Sequence, residues 1–317
     1  MQKEEQYQNL LRQAHSIVNN ESDLIANMSN IAALLHETFH FWWTGFYRVV
    51  ESELVLGPFQ GSLACTRIAH GRGVCGTAWA ERRSIVVEDV EQFPSHIACS
   101  SASRSEIVVP IFSEGQVVGV LDIDSQYLST FDEVDRLWLE RLVAVLMGGE
   151  KELWLAAGCF WGAEHYLKLL DGVIFTETGY ANGNSPNPIY QEVYTDTTGY
   201  AESVHLCYNR HRIPLTDIVE MYFKSIDPTS LNQQGADRGT RYRTGIYYTD
   251  PADREVILQI YKAEAQKHPL PLQVEVQPLT NFYRAEEYHQ DYLAKNPSGY
   301  CHLPEALFEL ARNHRRK

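Results

Sequence analysis

Leu153-Trp154-Leu155-Ala156-Ala157-Gly158-Cys159-Phe160-Trp161-Gly162-Ala163-Glu164-His165-Tyr166-Leu167-Lys168-Leu169-Leu170 is the stretch that decides how the second half of this chain folds. Residues 153–157 form a short apolar run ended by a glycine, which reads as a buried strand. Residues 163–170 carry an apolar stripe at Tyr166, Leu169 and Leu170, which reads as a helix. Cys159 therefore stands where a strand turns into a helix. The positive end of the helix dipole and the unpaired N–H groups there favour a thiolate, the nucleophilic form of cysteine. Phe160 and Trp161 follow at once and can wall a small apolar pocket beside the sulfur. The competing reading is a core cysteine acting as a small hydrophobe.

Outward from this point, strands are expected at 172–179, 200–208, 244–248 and 274–276. Helices are expected at 216–226, 251–267 and 286–293, with a short one in the tail 303–317. The order strand-helix-strand-strand-helix-strand is a split βαβ pattern, so this half reads as a two-layer α/β sandwich of ferredoxin-like type.

Upstream, residues 2–18 and 23–39 read as helices, the second capped by Asp23. Strands are expected at 43–50, 54–56, 64–68 (carrying Cys65), 85–87, 106–111 and 117–124. Short and long helices are expected at 77–82 and 130–147. The sum is an antiparallel sheet with helices packed on one side, and the whole chain is of α+β class. Gly148-Gly149-Glu150-Lys151 reads as a linker, giving domains 1–149 and 150–317. Asp122 and Asp124 lie two apart and share a strand face. Buried charge is costly without partners, so they mark either a site or a solvent-facing strand end.

Composition removes several function classes. The length of 317 residues suits two domains. The net charge of −14, without a basic block, argues against nucleic acid or an anionic membrane as partner. The polar start carries no secretory signal, and no apolar stretch reaches the ~18 residues of a membrane span, so a cytoplasmic location is expected. Six cysteines are too sparse for a disulfide scaffold, and no Cys-x2-Cys pair occurs, so no metal site is expected. Cys207, in an apolar strand, reads as inert. The glycine-rich run 71–76 lacks the Lys-Ser/Thr of a phosphate loop.

Gly158-Cys159-Phe160-Trp161-Gly162, Pro186-Asn187-Pro188-x-Tyr190, Gly199-x-Ala201-Glu202, Gln234-Gly235-x-Asp237-x-Gly239-Thr240-x-Tyr242-Arg243 and Lys295-Asn296-Pro297-x-Gly299-Tyr300-Cys301 together resemble the type A peptide-methionine (S)-sulfoxide reductases, over residues 152–302. The residues suit that chemistry. A sulfoxide sulfur becomes electrophilic when its oxygen is protonated or strongly hydrogen-bonded. The resemblance implies Cys159 as nucleophile, Glu202 as the acid, and Tyr190 and Tyr242 as O–H donors. It implies Phe160 and Trp161 as the methyl slot and Asp237 as a holder of water or neighbouring groups. Attack leaves methionine and a sulfenic acid; Cys301 then closes a disulfide, which thioredoxin or a dithiol reopens. No bound cofactor is implied.

Cys65, Cys75 and Cys99, with Gly57-Pro58-Phe59-Gln60-Gly61, Gly73-Val74-Cys75-Gly76-Thr77, His96-Ile97-Ala98-Cys99, the run from Ser101 to Pro110 and Gly119-Val120-Leu121-Asp122-Ile123-Asp124-Ser125, resemble the free methionine-(R)-sulfoxide reductases built on a GAF domain. That resemblance implies Cys99 as nucleophile, Cys65 as main resolving partner and Cys75 as secondary partner. Trp43 and Tyr47 would line the pocket. Glu106, Asp122 and Asp124 would share it; three carboxyls so close cannot all ionise freely, so one is protonated and can donate, while the others bind the ammonium of a free amino acid. The expected activity is bifunctional: the R epimer of free methionine sulfoxide at the first site, the S epimer, free or in oxidised proteins, at the second. Two readings stay open: a first half that only senses a ligand or redox state, and one that serves as a disulfide-stabilised unit for a homodimer.

Overall fold

The computed structural model describes residues 2–94, 97 and 101–314. They form two compact units divided between Glu150 and Lys151.

The first unit runs α1 (Gln2–Asn20), α2 (Leu24–Phe39), β1 (Trp43–Val50), β2 (Glu53–Gln60), β3 (Arg67–Ala69), α3 (Gly73–Glu81), β4 (Ile85–Val87), β5 (Ser105–Ser113), β6 (Gln116–Ser125) and α4 (Glu133–Leu146). The strands make one antiparallel sheet in the order β3-β2-β1-β6-β5-β4. Asp23 caps α2 by accepting the Ala26 N–H at 2.8 Å. Strand alternation divides the apolar residues between two faces. Phe46, Ile107, Val109, Leu121 and Ile123 pack with residues of α1, α2 and α4, including Leu10, Ile31 and Leu142. Trp43, Tyr47, Val108 and Val120 face the other way, against Val74, Cys75 and Ala78 of α3. The expectation of helices on one side is thus corrected. α3 begins at Gly73, four residues before the expected start, and shields the second face. That face needs a cover because it is apolar apart from the carboxyls discussed below.

The second unit opens with β7 (Glu150–Ala157), whose first residue lies at the boundary. It continues with α5 (Phe160–Lys168), β8 (Val173–Ala181), α6 (Tyr190–Tyr194), β9 (Ala201–Asn209), α7 (Leu215–Lys224), β10 (Gln233–Gln234), β11 (Asp237–Arg238), β12 (Thr244–Tyr248), α8 (Asp253–Ala265), β13 (Glu275–Pro278), β14 (Phe282–Arg284), α9 (Tyr292–Lys295) and α10 (Glu305–Arg312). The main sheet has the order β13-β12-β7-β9-β8-β14. Its middle, β12-β7-β9-β8, is the strand order of a split βαβ core, with one strand added at each edge. Leu153, Leu155 and Ala157 point into the main core with Phe160, Tyr166, Ile218 and Ile257 from the helices. Trp154 and Ala156 point to a smaller cluster on the opposite face.

Two local expectations change. Cys65 precedes β3 and lies in a loop, not a strand. The Tyr47 hydroxyl donates to the Cys65 carbonyl at 3.0 Å and so ties that loop down. The helix expected at 286–293 is broken into a 3₁₀ turn, Glu287–His289, and the short α9. Gln290 causes the break: its amide bonds the Thr178 N–H and C=O, both at 2.9 Å, and the Ala285 carbonyl at 2.8 Å. A side chain spent on capping a strand in this way holds the backbone out of a helix.

Candidate active sites

Gly158 makes the turn out of β7 with φ +80°, a region that favours glycine. Cys159 then takes an extended conformation and caps α5, so its sulfur stands at the mouth of the helix. It is buried, 6% exposed. Glu202 projects from neighbouring β9, 2% exposed, and its Oε2 accepts the Phe160 N–H at 3.2 Å. Burial lifts its pKa to about 8 against the weaker pull of that N–H, so Glu202 carries a proton at neutral pH.

The expectation of a thiolate favoured by the helix start is corrected for the resting site. Burial, followed by the nearby Glu202 carboxyl, pushes the Cys159 thiol well above its usual range. The Trp161 N–H pulls the other way but does not win, and Cys159 makes no full capping hydrogen bond. A helix start contributes at most about 2 kcal/mol even where it is partly buried, less than the desolvation of a sulfur anion beside a carboxyl.

Tyr190 and Tyr242 both reach this centre. Burial and then the Glu202 charge raise both phenols, Tyr242 to about 12, and Cys159 acts on each. They are therefore O–H donors at neutral pH. Glu286 holds Tyr190 by accepting its backbone N–H at 2.8 Å. The Arg241 guanidinium lies 4.5 Å over the Tyr242 ring and 4.1 Å over Tyr194. Phe160 is wholly buried, with its ring 5.0 Å from His289. Trp161 stacks on Tyr292 at 3.7 Å, and its indole N–H donates to His289 Nδ1 at 3.0 Å. Burial lowers His289 to about 4, so the ring is neutral and free to accept.

Asp237 accepts the Tyr300 hydroxyl at 2.9 Å. Cys301 is a free thiol, as is Cys159, and is close enough to act on the ionisation of Cys159. A β-carbon placed on Gly162 would lie 2.9 Å from Cys301 Sγ and 3.4 Å from His302 Nδ1. The missing side chain at Gly162 is thus the seat of the C-terminal thiol. His302, His289, Arg241 and Glu286 belong to this centre and were not singled out from the sequence. The only advance signal for His302 is its place next to Cys301. The other three are brought in by long-range contacts.

In the first unit, register gathers the acidic residues. Asp124 lies between Trp43 on β1 and Glu106 on β5, and Asp122 between Gly45 and Val108. Trp43, Tyr47, Cys75, Glu106, Asp122 and Asp124 line one cavity, with Ser62, Ile97 and Ser103. Glu106 and Asp122 are each 6% exposed, and Asp122 Oδ1 has no hydrogen-bond partner among the described residues. Burial first, then the neighbouring carboxyls, pushes both well up; burial lifts Asp124 to about 6. Cys75 is free and buried, its Sγ 4.0 Å from Glu106 Oε1. Cys65 is disulfide-bonded. Cys99 lies outside the described residues. Trp43 and Tyr47 have rings 6.1 Å apart, and the Trp43 indole donates to the Ser62 carbonyl at 3.1 Å.

Among the described residues, two trios bring a thiol and other donors within 4.8 Å of one another: Cys159 with Asp237 and His302, and Cys75 with Glu106 and Asp122. A thiol must lose its proton to take a metal. Burial and adjacent carboxyls oppose that in both trios, and their chemistry suits proton transfer better.

Residues 151–316 match the family described as peptide methionine sulfoxide reductase. The chain belongs to that family. Residues 21–146 match the GAF domain, so this methionine sulfoxide reductase carries a GAF domain ahead of its family domain. It is 50% identical over 163 residues to peptide methionine sulfoxide reductase MsrA of Lachnoclostridium phytofermentans, covering 51% of the reductase and 98% of that protein. It is 54% identical over 145 residues to GAF domain-containing protein A of Dictyostelium discoideum, covering 45% and 92%. Among solved structures it is similar to free methionine-R-sulfoxide reductase from Neisseria meningitidis in complex with its substrate. That match has 56% identity and TM-score 0.44, over 45% of the reductase and 86% of that chain. No helix among the described residues of the reductase is long and apolar enough to cross a membrane.

Proposed function

We propose that the two units reduce opposite epimers of methionine sulfoxide: the second takes the S epimer, free or in oxidised proteins, and the first takes the R epimer of the free amino acid. For the second site the carrying observation is a protonated, buried Glu202 beside a buried Cys159, with two phenols facing both. Glu202 gives its proton to the sulfoxide oxygen as Tyr190 and Tyr242 bond to it. Cys159 attacks the sulfur, and its own proton returns to Glu202. Oxygen moves to Cys159, methionine leaves, and a sulfenic acid remains. The rings of Phe160 and Trp161 border the space for the methyl group. Cys301, seated on Gly162, supplies the second thiol. Disulfide and water form, and thioredoxin or another dithiol restores the pair.

For the first site the carrying observation is three carboxyls on one covered sheet face, all raised in pKa by burial, with Glu106 and Asp122 pushed further by their neighbours. A shared proton can be donated to a sulfoxide oxygen, and the remaining charge pairs with an ammonium. A peptide-bound residue has no such ammonium, which restricts the site to free methionine sulfoxide. Cys99 is the nucleophile and Cys65 its resolving partner in this reading. Cys75, beside two carboxyls, is the secondary thiol. Cytoplasmic operation and a homodimer through the GAF unit fit the reading and belong to it.

Activity of Cys99→Ser and Cys159→Ser on each pure epimer tests this assignment. The first change is expected to abolish R reduction of the free amino acid and leave S reduction; the second is expected to do the reverse. R reduction that survives Cys99→Ser, or is absent from the parent, leaves the first unit as a sensor.

A further inference from the structure

We propose that His302 is the proton relay of the disulfide-forming step, a role that rests on the reading that Cys301 attacks a sulfenic acid on Cys159. Three separate segments bring one group each to this point: Cys159 at the start of α5, Asp237 on β11 and His302 beside Cys301. A ring nitrogen of His302, the Cys159 sulfur and an Asp237 oxygen all lie within 4.8 Å of one another. The ring spans the two glycines that flank the nucleophile. Its Nε2 is 3.6 Å from the β-carbon position of Gly158, and its Nδ1 is 3.4 Å from that of Gly162, where Cys301 Sγ also rests. It therefore touches the ground between the two sulfurs.

A histidine that merely fills space is expected to satisfy its ring nitrogens, because a buried polar atom without a partner costs about 1–3 kcal/mol. Both ring nitrogens of His302 are buried, and among the described residues neither makes a well-formed hydrogen bond, although the Ala157 carbonyl lies close enough to pull on the ring. The groups that face it are Asp237, the two thiols and the Ala157 carbonyl, with Glu202 behind Cys159 and Glu305 beyond Cys301. Burial outweighs the pull of Asp237 and Ala157, which leaves the ring neutral and able to accept a proton. A thiol, a neutral imidazole and a carboxylate are the groups of a nucleophile–base–orienter set, gathered here close to the second thiol but not yet hydrogen-bonded to one another.

The step needs such a group at both ends. Burial pushes the Cys301 thiol above its usual range, so its proton must be removed. The hydroxyl on Cys159 sulfur must leave as water, so it must gain one. His302 takes the proton from Cys301 and gives it to that hydroxyl. The new S–S bond forms as the S–O bond breaks; the Cys301 sulfur is oxidised, the sulfenic sulfur is reduced, and one water departs.

The test uses the full chain and the S-sulfoxide of an N-blocked methionine, in single turnover, with His302→Ala and His302→Gln. Methionine, free thiols and sulfenic acid trapped by a cyclic 1,3-diketone are followed together. One methionine per chain is expected in both variants, with disulfide formation slowed about a hundredfold, the low end for acid–base catalysis, and trapped sulfenic acid in its place. The parent's disulfide rate is expected to level off once His302 has lost its proton, whereas both variants are expected to keep rising with pH as the Cys301 thiolate grows. Added imidazole is expected to restore part of the rate in His302→Ala. Parental disulfide formation in His302→Gln, or the parent's levelling-off persisting at the same pH in either variant, overturns the role. A parent that yields no methionine refutes instead the sulfoxide-reducing reading itself.

Discussion

Replacing Glu202 by glutamine tests the core of the chemistry. The side chain keeps its shape and an oxygen for the Phe160 N–H, now 3.2 Å from Oε2, but cannot release a proton. In the parent, burial lifts Glu202 from 4.5 to about 8, a gap that corresponds to ~5 kcal/mol of preference for the protonated form. Two consequences follow. The rate of methionine formation in single turnover should decline as pH rises through about 8, because the acid is lost. Stability should decline over the same range: a group whose folded pKa is raised stabilises the fold fully below its unfolded value, and that contribution disappears as pH rises through the folded value. Glu202→Gln should slow methionine formation by about a hundredfold or more, remove the alkaline decline and resist denaturant at about pH 9 better than the parent. It should also lower the pH at which Cys159 is alkylated, since the adjacent charge is gone. A parent profile that stays flat up to about pH 9.5, or a glutamine variant that keeps the decline, refutes Glu202 as the acid.

Gly162→Ala puts a β-carbon 2.9 Å from Cys301 Sγ; disulfide formation should slow while one methionine per chain still forms, measured by thiol loss against product. Asp122→Asn removes the carboxyl that, after burial, does most to push Glu106 up, so Glu106 should titrate lower in the variant. The parent's GAF unit should lose stability as pH rises through about 6, where Asp124 ionises, and further as Glu106 and Asp122 follow, and the variant should lose less; equal slopes in denaturant melts would count against a shared proton. The same variant should impair R reduction of the free amino acid. Trp161→Phe deletes the 3.0 Å bond to His289 and should cost about 1 kcal/mol in unfolding experiments. No loss would mean that water takes the place of the indole.

The readable parts of the sequence were those in which local pattern and burial coincide. The run 153–157 and the helix after Cys159 are strand and helix by period alone, and Asp122 and Asp124 share a face wherever that strand pairs. The ferredoxin-like order of the second unit and the antiparallel sheet of the first follow from the same periodicities. Distant contacts were not readable. α3 lies across the second sheet face because Val74 and Ala78 find Val108 and Val120 there. The break at Gln290 depends on a strand more than a hundred residues earlier. The thiol of Cys159 departs from expectation because a helix start is visible in sequence, whereas the depth of its burial and the carboxyl beside it are products of packing. His302 is a single residue without a pattern of its own, and its ring meets Cys159 and Asp237 only once the tail has folded over Gly158 and Gly162.

Trp43 and Tyr47 border the carboxyl cavity with their rings, and their polar tips grip the backbone of the loop at Ser62 and Cys65. Each ring is thus a lever with one end in the cavity and the other on the strap that carries a cysteine. A guest that tilts either ring strains the strap, and a strap that lifts withdraws a wall from the guest. Trimming these rings will blur admission and recycling into one defect. Replacing Tyr47 with phenylalanine, which keeps the wall and lets go of the strap, separates them.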